Sequence, residues 1–176
     1  MGHSMGGGQV LHYAARGPAC VRKHITGYLV ESPFVALHEA SQPSRAVVFA
    51  GKLASKVLPG MHMNNQLEAK WVSRDEQVVK DYVADALCHD TGTLEGLAGM
   101  LQRAEELDKG HVKFEDREGC RLWVAHGTGD RTTSFEASER FVNRLNLRDL
   151  EFKRYEGWYH KCELSSCVAK GSADGG

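Results

Sequence analysis

A short, mainly parallel β-sheet with flanking helices and an inserted helical segment is the α/β fold this sequence predicts, on three observations. Two short apolar runs, residues 25–30 and 121–127, are the right length for buried strands and end in turn residues. Between them, from about residue 36 to 116, strand signals give way to helical periodicity. The final third then reads strand, helix, strand, which is a right-handed parallel unit.

The chain has 176 residues, 41% apolar and 26% charged, with a formal net charge of −1. One domain is expected, divided into residues 1–35, 36–115 and 116–162, with a disordered tail over 163–176. The charges are well mixed, which argues against a nucleic-acid partner. No apolar run approaches the roughly 20 residues needed to span a bilayer. Met1 leads straight into Gly2-His3-Ser4 without a signal-peptide pattern, so a cytoplasmic protein is expected. Cys20, Cys88, Cys120, Cys162 and Cys167 are scattered and odd in number, which predicts reduced thiols packed as small core residues. Nine histidines are present without a His-x-x-x-His or Cys-x-x-Cys pair, so neither a metal nor another cofactor is expected.

At the start, Gly2-His3-Ser4-Met5-Gly6 is a Gly-x-Ser-x-Gly pentapeptide. Such a motif presents a serine hydroxyl on a sharp strand-to-helix turn, where Gly2 and Gly6 are expected to be small. Residues 9–15 read as the following helix, with a break at Arg16-Gly17-Pro18. Residues 25–30, ending in Glu31-Ser32-Pro33, read as a buried parallel strand.

In the insertion, residues 46–58 form an amphipathic helix with Val47, Ala50, Ala54, Val57 and Leu58 on one face and Arg45, Lys52 and Lys56 polar. Such a helix suits packing on its own domain or contact with a membrane or lipid-droplet surface. Met61 and Met63 add flexible side chains suited to a lipid groove. Ser73-Arg74-Asp75-Glu76 fits a capping box for a helix from about Asp75. Another helix follows Thr93, with Leu94, Leu97, Ala98, Leu101 and Leu107 on one stripe. Beyond the strand at 121–127, Thr133-Ser134-Phe135-Glu136 opens a helix carrying Phe141, Val142 and Leu145, and residues 150–155 read as the last strand.

A serine nucleophile needs a base to take its proton and a carboxylate to hold the base, and behind an elbow these follow in the order Ser, Asp or Glu, His. Asp130, in His126-Gly127-Thr128-Gly129-Asp130, follows the 121–127 strand; His160, in Tyr155-Glu156-Gly157-Trp158-Tyr159-His160, follows the last one. The candidate triad is therefore Ser4, Asp130 and His160. Asp90 is the rival acid, but it falls in the helical insertion and reads as a helix or turn cap. His3 is too close in sequence to Ser4 to be its base and reads as a packing or backbone hydrogen-bonding residue.

Together with Ser73-Arg74-Asp75 and Asp90-Thr91-Gly92-Thr93, the elbow, acid and base motifs resemble fungal monoacylglycerol lipases of the serine aminopeptidase-type α/β-hydrolases, over roughly residues 1–161. The resemblance implies the C-terminal part of an α/β-hydrolase, with residues 36–115 as the cap that admits an acyl chain. It implies a cytosolic or lipid-droplet-associated serine hydrolase that cleaves monoacylglycerol, a small lipid ester, to glycerol and a fatty acid. Family members carry a long N-terminal half, including a His-Gly loop that supplies one of two oxyanion donors, and a final helix beyond the base. Against that pattern the sequence is expected to be truncated at both ends. The strand before Ser4 would be essentially absent, the edge of the 25–30 strand unpaired, and the Met5 backbone N–H the remaining oxyanion donor. Two other functions compete with the esterase on these grounds: a catalytically incompetent fragment, and a lipid-surface binding module built on residues 46–58, Met61 and Met63.

Overall fold

The computed structural model describes residues 1–64 and 67–161. In chain order the elements are β1 (Gly2–His3), α1 (Ser4–Arg16), α2 (Ala19–Arg22), β2 (Gly27–Glu31), α3 (Arg45–Val57), β3 (His62–Asn64), α4 (Glu76–Ala84), β4 (Thr91–Thr93), α5 (Leu94–Asp108), β5 (Arg121–Gly127), α6 (Phe135–Asn143) and β6 (Leu150–Tyr155). Four of the strands form a sheet in the order β1-β2-β5-β6, every neighbouring pair parallel. The α/β class with a parallel sheet and helices is therefore the architecture observed.

Side chains alternate across a strand, so Tyr28 and Val30 of β2 and Leu122 and Val124 of β5 share one face of the sheet. On that face they pack with Leu11 of α1, Leu107 of α5 and Phe141 and Val142 of α6 in one apolar cluster. The opposite side is less covered: Leu29 is 47% exposed, so β2 is buried on one face rather than through its whole run.

Several elements depart from expectation for local reasons. The first helix begins at Ser4, five residues before residue 9, because the glycines at 6–8 depress helix propensity without preventing a helix packed on the sheet. The strand entering Ser4 is present as two residues, pairing Gly2 with Val30 and His3 with Glu31, so that edge of β2 is partly occupied rather than unpaired. The insertion between β2 and β5 is not wholly helical: β3 and β4 pair antiparallel, His62 with Thr93 and Asn64 with Thr91. Asp75, not Ser73, caps α4, its carboxylate accepting from the Gln77 and Val78 N–H groups. A carboxylate at a helix N-terminus gains from the dipole as well as the hydrogen bonds. Ser73 instead accepts from the Asp75 N–H as a turn. Thr93 caps α5 where the sequence places it, accepting from Gly96 N–H, whereas Ser134, one residue after the Thr133 of the Thr133-to-Glu136 capping box, caps α6 by accepting from Ala137 N–H.

Cys20 and Cys88 are exposed and so are not core residues, whereas Cys120 is half-buried and packs against the apolar cluster. Cys162, Cys167 and the tail at 163–176 lie outside the described residues. Among the described residues no helix is long and apolar enough to cross a membrane.

Candidate active site

Parallel strands deliver their carboxyl ends to one edge of the sheet, and the loops there collect functional groups. Ser4 leaves β1, Asp130 follows β5 and His160 follows β6, so three distant stretches of sequence arrive at that edge. Ser4 takes a φ of +54° between an extended His3 and the helix, and Ser32, at the end of β2, takes +43°. A non-glycine residue held in this region costs about 1–3 kcal/mol, so the surroundings must enforce it. The Phe34 N–H donates to the Ser4 carbonyl at 2.9 Å and the Ser32 N–H to the Ala125 carbonyl at 2.8 Å, tying both strained residues to the sheet.

The elbow requires close approach at Gly2, where a Cβ would overlap the Gly6 carbonyl and meet Val10. At Gly6 a Cβ would meet nothing within 4 Å, so the expectation that Gly6 must be small has no steric basis here. The acid and base loops are pressed together at Gly127, where a Cβ would overlap the Trp158 carbonyl. Across the same contact the Gly129 N–H donates to the Trp158 carbonyl at 2.9 Å and the Gly157 N–H to Thr128 Oγ1 at 2.8 Å.

These constraints bring Ser4, His160 and Asp130 into one hydrogen-bonded line. Ser4 Oγ lies 2.8 Å from His160 Nε2, and His160 Nδ1 lies 2.8 Å from Asp130 Oδ2. The network assigns the tautomer: Nδ1–H donates to the carboxylate and Nε2 accepts the serine proton. Asp130 and His160 are buried, 2% and 4% exposed. Burial alone would raise the Asp130 carboxyl, but hydrogen bonds from His126 and His160 outweigh it and hold the group well below the usual carboxylate range. Asp130 Oδ1 also accepts from the Thr132 and Thr133 N–H groups at 2.7 and 3.1 Å. Met5 stands at the second position of α1, where a backbone N–H has no intrahelical acceptor.

A model of the family described as "Serine aminopeptidase, S33" matches residues 1–164. The chain belongs to this serine aminopeptidase family of hydrolases. Within it, the chain is 28% identical over 163 residues to a putative monoglyceride lipase of Schizosaccharomyces pombe, covering 93% of this chain and 42% of that protein. It is 33% identical over 169 residues to a monoacylglycerol lipase of Mycolicibacterium smegmatis, covering 92% and 54%. Its fold superposes with a TM-score of 0.80 on the monoglyceride lipase of Saccharomyces cerevisiae solved with a substrate analogue, at 25% identity, covering 91% of this chain and 53% of that one. The chain spans about half the length of the curated relatives it matches.

Other sequence-singled residues take different places in this family member. His3 Nε2 lies 3.0 Å from the His160 carbonyl oxygen, and the two rings pack at 4.8 Å between centroids. That packing desolvates one face of His3 and lowers its pKa. Asp90 is remote from Ser4 in role: its carboxylate accepts from the Leu67 N–H at 2.9 Å and the Tyr82 hydroxyl at 3.5 Å, a turn cap within the insertion. Sequence reasoning passed over His126 and Thr133, which both reach Asp130 Oδ2, at 3.1 and 2.8 Å. It also passed over the segment before α4, whose Trp71 and Val72 carbonyls accept from the His160 and Lys161 N–H groups. The spacing of His126 four residues before Asp130, in phase with Leu122 and Val124, was the available signal.

Two cavities lie under the insertion. One of about 710 Å³ is lined by apolar side chains such as Phe34, Val35 and Phe49 on one side and by the charged Lys52, Glu105 and Asp108 on another, and a smaller one of about 110 Å³ lies between α3 and α5. Neither is lined by Ser4, Asp130 or His160. On α3, Phe49, which also borders the larger cavity, and Val57 are 73% and 74% exposed, with Val47, Leu53 and Leu58 also exposed.

Proposed function

We propose that this chain is a serine hydrolase that cleaves monoacylglycerol or similar carboxylic esters to a fatty acid and an alcohol, with Ser4 as nucleophile, His160 as base and Asp130 as the acid that orients it. The observation that carries the reading is the unbroken line from Ser4 Oγ through His160 to the ionised Asp130, both links at 2.8 Å.

In the forward step His160 Nε2 takes the Ser4 proton as Oγ attacks the ester carbonyl. The tetrahedral oxyanion faces the Met5 N–H at the positive end of α1. The imidazolium keeps its Nδ1–H on Asp130 and gives its other proton to the departing alkoxide, leaving an acyl-enzyme. Water, deprotonated by His160, then attacks the acyl carbon, and collapse of the second oxyanion returns Ser4 and releases the fatty acid.

An apolar acyl group is supported by the naming of similar proteins as monoglyceride lipases. Residues 36–115 act as the cap over that chain. Exposed Val47, Phe49, Leu53 and Val57, with Lys56 beside them, make α3 the surface that meets a membrane or lipid droplet.

Hydrolysis of a series of monoacylglycerols, read as released fatty acid, tests the reading beside Ser4→Ala and His160→Ala. Activity lost in both variants and rising with acyl length supports it. Ester hydrolysis that persists in Ser4→Ala sinks it.

A further inference from the structure

His126 lies on β5 in phase with Leu122 and Val124, so strand alternation turns its imidazole into the apolar face and leaves it wholly buried. An imidazole in that position is costly unless both nitrogens are paired. Both are: Nδ1 lies 2.9 Å from the buried Ser138 hydroxyl of α6, and Nε2 lies 3.1 Å from Asp130 Oδ2. The pairing orders the protons. Ser138 donates to Nδ1, which leaves Nε2–H to donate to the carboxylate. Phe135 packs edge-on against the ring, 5.9 Å between centroids, and stops it turning.

Two imidazoles thus address the same carboxylate oxygen, His160 at 2.8 Å and His126 at 3.1 Å. A structural histidine would need some acceptor; it would not need the acceptor used by the base. Thr133 Oγ1 joins them at 2.8 Å, while the two backbone N–H groups hold the other oxygen. The carboxylate plane is fixed from the core side, and the direction left open faces His160.

Resting on the triad proposed above, we infer that His126 is a positioning residue of the reaction, holding the Asp130 carboxylate in the orientation His160 requires. It touches neither substrate nor Ser4 and acts through Asp130. The titratable groups around it are Asp130, His160 and, from the first turn of α6, Glu136; Thr133, Phe135 and Ser138 are neutral.

The test compares the unsubstituted chain with His126→Leu, His126→Gln and Ser138→Ala. Gln can place an amide N–H near the position of Nε2, and Leu cannot. The first readout, independent of turnover, is the ¹³C shift of the Asp130 carboxyl followed downward from neutral pH on folded protein. In His126→Leu this carboxyl takes up its proton about one pH unit higher than in the parent. His126→Gln returns it toward the parent, and Ser138→Ala shows a smaller shift in the same direction should the Leu variant fail to fold. The second readout is the rate of fluorophosphonate labelling at Ser4 against pH. His126→Leu lowers it about 10- to 100-fold and moves its acid limb upward, and Gln recovers part of the loss.

Coincident carboxyl titrations in the parent and the folded variants overturn the inference, as does an unchanged labelling profile in His126→Leu. A parent chain that never labels at Ser4 refutes the hydrolase reading instead, and the carboxyl titration then decides the His126 contact alone.

Discussion

Around Asp130, polar atoms are buried and paired, whereas along α3 apolar atoms are left in water. The Asp130 carboxylate accepts five hydrogen bonds, from His126, His160, Thr132 N–H and both the N–H and hydroxyl of Thr133. Phe49 and Val57 stand about three-quarters exposed on a helix held to α5 partly by the exposed Lys52–Glu105 pair, a kind of contact that contributes little. The first region is over-determined, as the roles proposed for Ser4, His160 and Asp130 require. The second is loosely committed, which suits the interfacial role proposed for α3. Substitutions of one chemical kind should therefore behave differently in the two places.

The largest contrast is in activity. Ser4→Ala lowers ester hydrolysis by about 10⁶-fold and Asp130→Asn by about 10⁴-fold, whereas Phe49→Ser leaves hydrolysis of a short soluble ester within a few-fold. Initial rates on one short ester, with folding checked by circular dichroism, read all three; comparable losses from Phe49→Ser and Asp130→Asn would erase the distinction.

Adding a single methyl separates the regions by sign. Gly127→Ala drives a Cβ into the Trp158 carbonyl and forces the acid and base loops apart, a destabilisation of about 2–4 kcal/mol with loss of activity. Gly51→Ala, inside α3 with nothing within 4 Å of the new Cβ, stabilises by about 0.5–1 kcal/mol. Urea denaturation measures both, and two changes of the same sign would contradict the packing account.

Acid dependence isolates the carboxylate. Because the fold holds Asp130 below its ordinary pKa, this group adds stability above the unfolded-state value of about 4 and loses it as pH falls through that value toward the folded one. Asp130→Asn removes that part of the fall in unfolding free energy on the acid side. A slope identical to the parent's, over the same pH series, would mean the hydrogen bonds do not stabilise the ion.

The smallest effect on stability and the most specific on location belongs to α3. Phe49→Ser with Val57→Ser changes the unfolding free energy by no more than about 0.5 kcal/mol per site yet weakens co-sedimentation with phospholipid vesicles. Unaltered vesicle binding would remove α3 from the interface.

The parts of this architecture legible in the sequence were those with a local signature. Residues 121–127 and 150–155 announced strands by composition, Thr93 and the Thr133-Ser134 pair announced helix starts by capping chemistry, and the order Ser4, Asp130, His160 picked out three side chains that the sheet brings together. What escaped depended on tertiary contact. The pairing of His62–Asn64 with Thr91–Thr93 involves strands of three residues, too short to show a period, and Cys20 and Cys88 carry no local sign of which side meets water. Gly6 has the same motif standing as Gly2 but different neighbours. His126 was visible only as one letter of the acid loop, since its meaning comes from Ser138 on α6 and from the oxygen it shares with His160.

Fluorophosphonate labelling of the purified chain, read by intact mass beside Ser4→Ala and His160→Ala, tests most directly whether the hydrogen-bonded line at the sheet edge is a working nucleophile. The account predicts one adduct, on Ser4, absent from the first variant and strongly slowed in the second. A folded sample that takes no label, or one that labels equally with Ser4 replaced, would contradict it.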